Sequence, residues 1–314
     1  ITLHFAQRAR EHSVVDFSIF GDYQNPVEFN FSTAEGFSSQ LRWTSQRINI
    51  FYARTPRVES IAAREFRGFF ATVFAQNMQV CSADAEALSE ALTAAADIVD
   101  YLTEQARLEN ERRQKVRDFA AQHDDFSDHV RDFFTGVDVP PNLTPAEPPP
   151  PQLLRLPLTR QRQQDRSIRG SSGGISAADP KDLISAAQVL GEAAAQVPSG
   201  SVLAGWFDDF TSQCKYGTVE VGDLFVQLDR WRGLNDGDVE WLHAVAKAFQ
   251  AAGSGVITLP NSALRAALRA AGTPLWRTDL DITSPGLSGI DPRTGYLEDP
   301  INSATGNFIE PETD

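Results

Sequence analysis

Few side chains in this sequence could perform chemistry, and they are scattered along the chain. Cys81 could act as a nucleophile beside a histidine, but it falls at helical spacing among apolar residues, where a thiol is more often a small core residue. His123 and His129 flank the acidic stretch 124–128, and imidazole and carboxylate groups are common metal ligands. Because these histidines are six residues apart and ligand pairs on a helix are three or four apart, a solvated acidic helix end is the favoured interpretation.

No catalytic motif stands out either. The stretch Asn235-Asp236-Gly237-Asp238 only loosely resembles a calcium loop, and we interpret it as a turn that leads into a helix with Asp238 near its start. The nucleophile elbow, the phosphate-binding loop and the His-Glu-x-x-His motif are missing. No pair of carboxylates lies in an obviously apolar setting that would shift a pKa for acid–base work. The sequence therefore predicts no enzyme, no cofactor and no metal site within these 314 residues.

The net charge and the apolar runs of the chain limit which partners can be expected. The chain has 28 lysines and arginines against 42 aspartates and glutamates, a net charge of −14. Nucleic-acid binding depends on basic residues that neutralise phosphates, so this chain is not expected to bind nucleic acid. No apolar run approaches the roughly 18 residues that a membrane span needs, so no stable membrane span is expected. Cys81 and Cys214 allow one disulfide at most.

Proline and arginine mark a linker at 138–175, between two regions of helical pattern. Eight of the 18 prolines lie between Pro140 and Pro157, and such a stretch favours extended polyproline II over helix or sheet. The following stretch, Arg155–Arg169, carries five arginines against Asp165. These arginines could bind phosphate or an acidic partner, or they could keep a flexible spacer soluble, which is the favoured interpretation.

Upstream of the linker, apolar residues repeat with spacings of three and four, which predicts two long helices packed along their length. The seam of the second helix comprises Phe74, Met78, Cys81, Ala85, Leu88, Leu92, Ala95, Val99, Leu102 and Ala106. The seam of the first comprises Ala34, Phe37, Leu41, Thr44, Ile48, Phe51, Thr55, Val58 and Ala62. Their short connection predicts an antiparallel hairpin over 32–137.

Finer features of this hairpin can also be predicted. Ser32 or Thr33 is the expected N-cap of the first helix, and Pro56 should kink or break it near Thr55. Beyond Ala106 the second helix should project into solvent. The segment 1–31 precedes the hairpin and contains a short predicted strand at 27–31.

Downstream of the linker, the pattern predicts a compact helical bundle over 176–282. Helices are expected at 180–197, 201–214, 219–231, 236–252 and 261–271, with a break at Gly233. The expected core comprises Leu190, Leu203, Trp206, Phe207, Phe210, Leu224, Phe225, Leu228, Trp241, Val245, Phe249, Leu264 and Leu268. A turn-rich tail follows at 283–314. The predicted fold is thus mainly α, with a hairpin, a Pro/Arg-rich linker, a second bundle and an irregular tail that begins a β-strand.

The hairpin turn resembles that of a known family. Phe66-Arg67-Gly68 lies between the two helices, and this region is similar to the WXG-type helical hairpins exported by type VII secretion systems of actinobacteria, whose helices meet at a Trp-x-Gly turn. Phe66 stands where the family has tryptophan, and either ring can fill the helix junction. The family's export signal, Tyr-x-x-x-Asp/Glu, is not found after the second helix. A literal Trp-x-Gly occurs at Trp231-Arg232-Gly233 between shorter predicted helices.

The tail resembles a second family. Its last 20 residues are similar to the sequence that leads into the β-cocoon of Rhs/YD-repeat toxins, DP(V/I)(D/N)xATGxF. The matching residues are Asp299, Pro300, Asn302, Ala304, Thr305, Gly306, Asn307 and Phe308. In that family the cocoon encloses a C-terminal toxin. The resemblance implies that Asn307-Phe308-Ile309 starts a strand whose partner lies in a downstream sheet.

Together the two resemblances imply the non-catalytic delivery and plug region of an Rhs-type polymorphic toxin used in interbacterial competition. The toxin enzyme would lie beyond residue 314. The expected partners are the downstream cocoon, the type VII secretion machinery and a small WXG-like or chaperone protein. The chain would fold in the cytoplasm and then be secreted from a Gram-positive bacterium without a signal peptide. A freestanding helical adaptor, pairing with itself or with a WXG-like partner, is the alternative, and an uncharacterised enzyme domain at 176–282 is a third hypothesis.

Overall fold

The computed structural model describes residues 20–123, 143, 145, 147–154 and 174–280, together with the backbone of two short strands at 301–302 and 307–308. The described chain is mainly helical, which confirms the predicted fold class. Most of the predicted linker, including the arginine-rich stretch 155–169, lies outside the described residues, as does His129. Among the helices of the described ranges, none is both long and apolar enough to cross a membrane.

Helix α1 (Phe31–Ala62) begins two to three residues earlier than a Ser32 or Thr33 cap would allow. Asn30 is the N-cap, and its side-chain oxygen accepts a hydrogen bond from the amide of Thr33 at 3.2 Å. The predicted strand at 27–31 is reduced to one β-bridge between Phe29 and Cys214, because Phe31 already belongs to the helix. The prediction of Ser32 or Thr33 as N-cap was therefore wrong.

Pro56 does not break α1. A proline has no amide hydrogen, so the carbonyl of Tyr52, four residues earlier, loses its helical donor. The hydroxyl of Thr55 donates to that carbonyl at 2.8 Å and lies 3.0 Å from the hydroxyl of Ser82 on the next helix. A side chain thus replaces the missing main-chain donor, and the helix continues to Ala62.

Helix α2 (Phe69–His123) is 55 residues long, about 80 Å, and runs antiparallel to α1. The contacts between the helices run in opposite directions along the sequence: Ser38 bonds to Asp100 at 2.5 Å, Ser45 to Ser89 at 2.8 Å, and Thr55 to Ser82. The apolar seams of both helices are buried over their whole predicted length.

The far end of α2 does not project into solvent, contrary to the prediction. Its arginines donate hydrogen bonds to main-chain carbonyl oxygens of residues 20–25, and these arginines are Arg112, Arg113 and Arg117. Arg112 also donates to the carbonyl of Leu143 at 3.0 Å and pairs with buried Glu109 at 2.8 Å. The charged residues whose pattern predicted exposure to solvent therefore hold residues 20–25 against the helix.

Within residues 174–280 the structure has four further helices: α3 (Pro180–Ala194), α4 (Gly200–Gln213), α5 (Leu224–Ala252) and α6 (Asn261–Ala270). Helix α3 starts as expected, with Asp179 as N-cap bonded to the amide of Lys181 at 2.9 Å. The predicted break at Gly233 was wrong, and so was the turn at 235–238, since α5 runs through both. An exposed glycine costs a helix only about 1 kcal/mol, which the burial of Trp231 and Trp241 on either side outweighs.

The hairpin and the later helices share one hydrophobic core. Helix α1 packs against α2, α3 and α4, while α2 packs against α5. The predicted boundary between a hairpin segment and a bundle segment therefore runs through a continuous apolar interior. Of the predicted bundle core residues, Phe207 is only half-buried and Trp206 is 36% exposed, lying over Gly36 of α1.

The described residues form three small sheets, of which two join distant parts of the chain. Strands β1 (Arg67–Gly68), β3 (Ile175–Ala178) and β5 (Ile257–Pro260) form an antiparallel sheet with β3 in the centre. Strand β2 (Gln152–Leu153) pairs in parallel with β4 (Val219–Glu220). Strand β6 (Ile301–Asn302) pairs antiparallel with β7 (Asn307–Phe308).

Candidate functional site: the hairpin turn and a buried polar junction

The hairpin turn has a buried ring at its centre. Phe66 is 3% exposed, and its ring lies 6.4 Å from the ring of Phe74 and 6.5 Å from that of Trp241 on α5. Arg67 is exposed, and its guanidinium donates to the main-chain carbonyls of Ala63, Arg64 and Phe66 at the end of α1. Phe66 therefore connects the hairpin to the later helices, while Arg67 satisfies carbonyls that the end of α1 leaves without amide donors.

Gly68 allows the close approach of the turn to strand β3. Its φ of +90° belongs to the region that side-chain-bearing residues rarely adopt. A Cβ placed on Gly68 would lie 2.4 Å from the carbonyl oxygen of Ile175 and 2.9 Å from the hydroxyl of Ser176. The same Ser176 hydroxyl accepts a hydrogen bond from the amide of Phe70 at 3.2 Å and donates to Asn261 at 2.8 Å. The turn is thus also a strand that pairs with chain more than 100 residues away.

The predicted seam residues of α2 lie inside the shared core rather than on an open surface. All of them are 5% exposed or less: Phe74, Met78, Cys81, Leu88, Leu92, Val99 and Leu102. Their surroundings include α1 on one side and α5 on the other. Cys81 and Cys214 are both buried free thiols, so the possible disulfide between them is not formed.

The structure gives the tail strand a partner that the sequence did not suggest. Asn307 and Phe308 pair with Asn302 and Ile301 in a two-stranded antiparallel ladder. The expectation that this strand has no partner within the chain was therefore wrong. The other motif residues lie outside the described residues: Asp299, Pro300, Ala304, Thr305 and Gly306.

Sequence reasoning missed a buried polar junction where α2, α5 and the segment after α6 meet. Arg277 has a fully buried side chain whose guanidinium contacts the carboxylate of Asp238 and lies 3.8 Å from that of Asp84. Asp84 is on α2 and Asp238 on α5, so one arginine lies between carboxylates from two helices. Asp238 had been expected near the start of a helix, after a turn, and only its place seven residues after Trp231 on one helix face could have indicated burial.

Neutral groups line the same junction. The thiol of Cys81 lies 3.3 Å from the side-chain oxygen of Asn235, and the indole nitrogen of Trp231 donates to the main-chain oxygen of Cys81 at 3.5 Å. Burial raises the pKa of the Cys81 thiol to about 12, so this sulfur is protonated and unreactive at neutral pH. The structure therefore supports a packing role for Cys81, as the spacing predicted.

The charge state of Asp238 is set by two opposing effects. Desolvation raises the pKa of its carboxyl, and the neighbouring Arg277 lowers it, with a net pKa of about 6. Both partners are withdrawn from water, so the pair is a local feature of the interior rather than a surface salt bridge. This arrangement can hold a chain segment in place, but it offers no open path for a substrate.

Within the described ranges, no group of three or more histidine, cysteine, aspartate or glutamate side chains is placed so that it could hold a metal ion. His123 is the last residue of α2, and its side chain is not among those described. In the stretch that loosely resembles a calcium loop, Asn235 contacts Cys81 and Asp238 contacts Arg277. Comparisons with protein-family models, with curated proteins and with solved structures find no match for this chain.

Proposed function

We propose that this chain is the non-catalytic delivery and plug region of an Rhs-type polymorphic toxin exported by a type VII secretion system. The observation that supports the proposal most is the hairpin itself. Helices of 32 and 55 residues run antiparallel and meet at Phe66-Arg67-Gly68, the position at which the exported hairpins carry their turn motif. The toxin enzyme would then be encoded beyond residue 314.

In this proposal the chain acts by packing and recognition. The seam of the hairpin is covered by the chain's own helices, so a small WXG-like partner could use that seam only by displacing α3, α4 and α5. Recognition by the secretion machinery would therefore use the outer surface, where the turn exposes Arg64, Glu65 and Arg67. The export unit would be the whole described body rather than a separate hairpin.

The experiment that tests export uses the full chain with an epitope tag in an actinobacterium that has a type VII system. We expect the chain in the culture medium of the parent strain and its retention in cells when the ATPase of that system is deleted. A protein exported by the general secretory pathway serves as the control, since its export should not change. Equal export by both strains would refute the proposal.

Two variants distinguish a role of the turn in export from its role in folding. Because Phe66 packs on Trp241, a charged residue at position 66 would damage the core as well as any signal. Phe66→Trp instead keeps an aromatic ring and installs the family's own residue, so it should be exported like the parent chain. Reversal of the exposed pair by Arg64→Glu with Glu65→Arg alters the surface of the turn without removing a core contact.

One observation favours the alternative, a freestanding helical adaptor. The pairing of Ile301–Asn302 with Asn307–Phe308 gives the tail strand a partner inside the chain. An adaptor would not depend on a downstream sheet. Protease protection of the tail in the purified 314-residue chain would support the adaptor, whereas rapid loss of residues 284–314 would support a tail that needs the cocoon.

A further inference from the structure

The segment that follows α6, Leu275–Leu280, contacts both α2 and α5, and we call it the strap. Its main chain is hydrogen-bonded to side chains on one face of α2. The side-chain amide of Asn77 donates to the carbonyl of Leu275 at 3.3 Å and accepts from the amide of Arg277 at 3.0 Å. Seven residues further along α2, Asp84 accepts from the amide of Leu280 at 3.4 Å. Asn77 thus contacts the strap as a neighbouring β-strand would.

The two helices present matching faces to this strap. The α2 positions 77, 81 and 84 and the α5 positions 231, 235 and 238 have the same spacing of four and three, so each set lies on one side of its helix. The carboxylates of these faces, those of Asp84 and Asp238, lie beside a single guanidinium, that of Arg277, whose side chain has no exposed surface.

We infer that the cleft between α2 and α5 is a guanidinium-binding site, filled in cis by Arg277, and that the strap is a latch that fixes where the chain leaves the helical body toward its tail. A guanidinium has a planar set of donors that suits carboxylate oxygens from two directions, which an ammonium does not. The main-chain bonds to Asn77 and Asp84 set the position of the strap along α2. This role is independent of export, so neither hypothesis depends on the other.

The first test removes the counter-charges and keeps every heavy-atom position. In the full chain, Asp84→Asn combined with Asp238→Asn leaves Arg277 among neutral amides. We expect hydrogen exchange at the amides of 275–280 to accelerate at least tenfold, while the central turns of α2 and α5 keep their protection. Arg269→Gln, an exposed position on α6, is the matched control and should change nothing.

The second test determines whether the site prefers a guanidinium to an ammonium. Arg277→Ala should leave a space of guanidinium size, and about 20 mM methylguanidinium should restore strap protection in that variant, whereas methylammonium at the same concentration should not. Arg277→Lys should behave like Arg277→Ala without added ligand, since an ammonium cannot reproduce the planar set of donors of a guanidinium.

Two results would overturn the inference. If exchange in 275–280 is unchanged in the double asparagine variant, the ion contacts do not hold the strap. If exchange rises equally over α2, α5 and the strap, Arg277 is a general core residue and not a latch. Should Arg277→Ala fail to fold, the double asparagine variant alone decides between these results, because it creates no cavity.

Discussion

Replacement of Gly68 by alanine should be among the most damaging single-methyl changes in this protein. The φ of +90° makes any side chain there unfavourable, which costs about 1–2 kcal/mol. In addition, the new Cβ would lie 2.4 Å from the carbonyl oxygen of Ile175, so β1 and β3 must separate. Their pairing and the hydrogen bond from the Phe70 amide to the Ser176 hydroxyl each contribute about 1 kcal/mol. The expected total loss is about 3–4 kcal/mol.

Two other glycines in the same chain separate these causes. Gly255 has φ +78° with open space around it, so Gly255→Ala measures the backbone effect alone, about 1–2 kcal/mol. Gly233 lies inside α5 with nothing near its would-be Cβ, so Gly233→Ala should stabilise by about 0.5–1 kcal/mol. The assay is urea unfolding followed by circular dichroism. If Gly68→Ala costs no more than Gly255→Ala, the close approach of β1 to β3 is not what requires glycine.

Three further predictions follow from buried groups. The folded-state pKa of Asp238 is about 6, above its ordinary value, so its contribution to stability is complete below about pH 4 and is lost as pH rises through 6. Asp238→Asn should therefore remove up to about 3 kcal/mol of pH dependence between pH 4 and 7 in urea titrations, and an identical pH profile would contradict the burial argument. Phe51 packs edge-on against Trp231 with ring centroids 4.8 Å apart, so Phe51→Ala should cost about 3–5 kcal/mol, whereas alanine at exposed Trp43 should cost under 1 kcal/mol. Cys81 should resist alkylation in the native chain until global unfolding, and labelling at the rate of a free thiol would show that the junction opens.

The helical seams were predictable because a packed helix must repeat its apolar residues with its own period. Every seam position of α1 and α2 named from the sequence is buried. The boundaries of α5 were not predictable, because Gly233 and Gly237 weaken a helix only slightly and the burial that outweighs them comes from residues far along the chain. The continuity of α1 through Pro56 likewise depends on a single hydroxyl, that of Thr55.

The polar junction was hidden from the sequence for a related reason. Nothing local distinguishes Arg277 from an exposed arginine in a turn-rich segment, and Asp84 and Asp238 each look like ordinary helix-surface acids. Only tertiary packing brings the three together, over separations of 39 residues for one pair and nearly 200 for the other. A sequence pattern shows which residues share a helix face, but it does not show which distant segment packs on that face.

The contact between Asn77 and Arg277 also affects how the protein is made. The two residues are 200 positions apart, so a ribosome adding about 5–20 residues per second needs about 10–40 s after Asn77 before the strap exists. During that interval α1 and α2 can already pair once both have been synthesised, but the sides of the hairpin that later face α3, α4 and α5 have nothing to pack against. Contacts between residues so far apart in the sequence form late, because a long loop must close first, and we expect them to slow the completion of folding. The nascent hairpin should therefore be a substrate for general chaperones, and their release should follow synthesis of α5 and the strap.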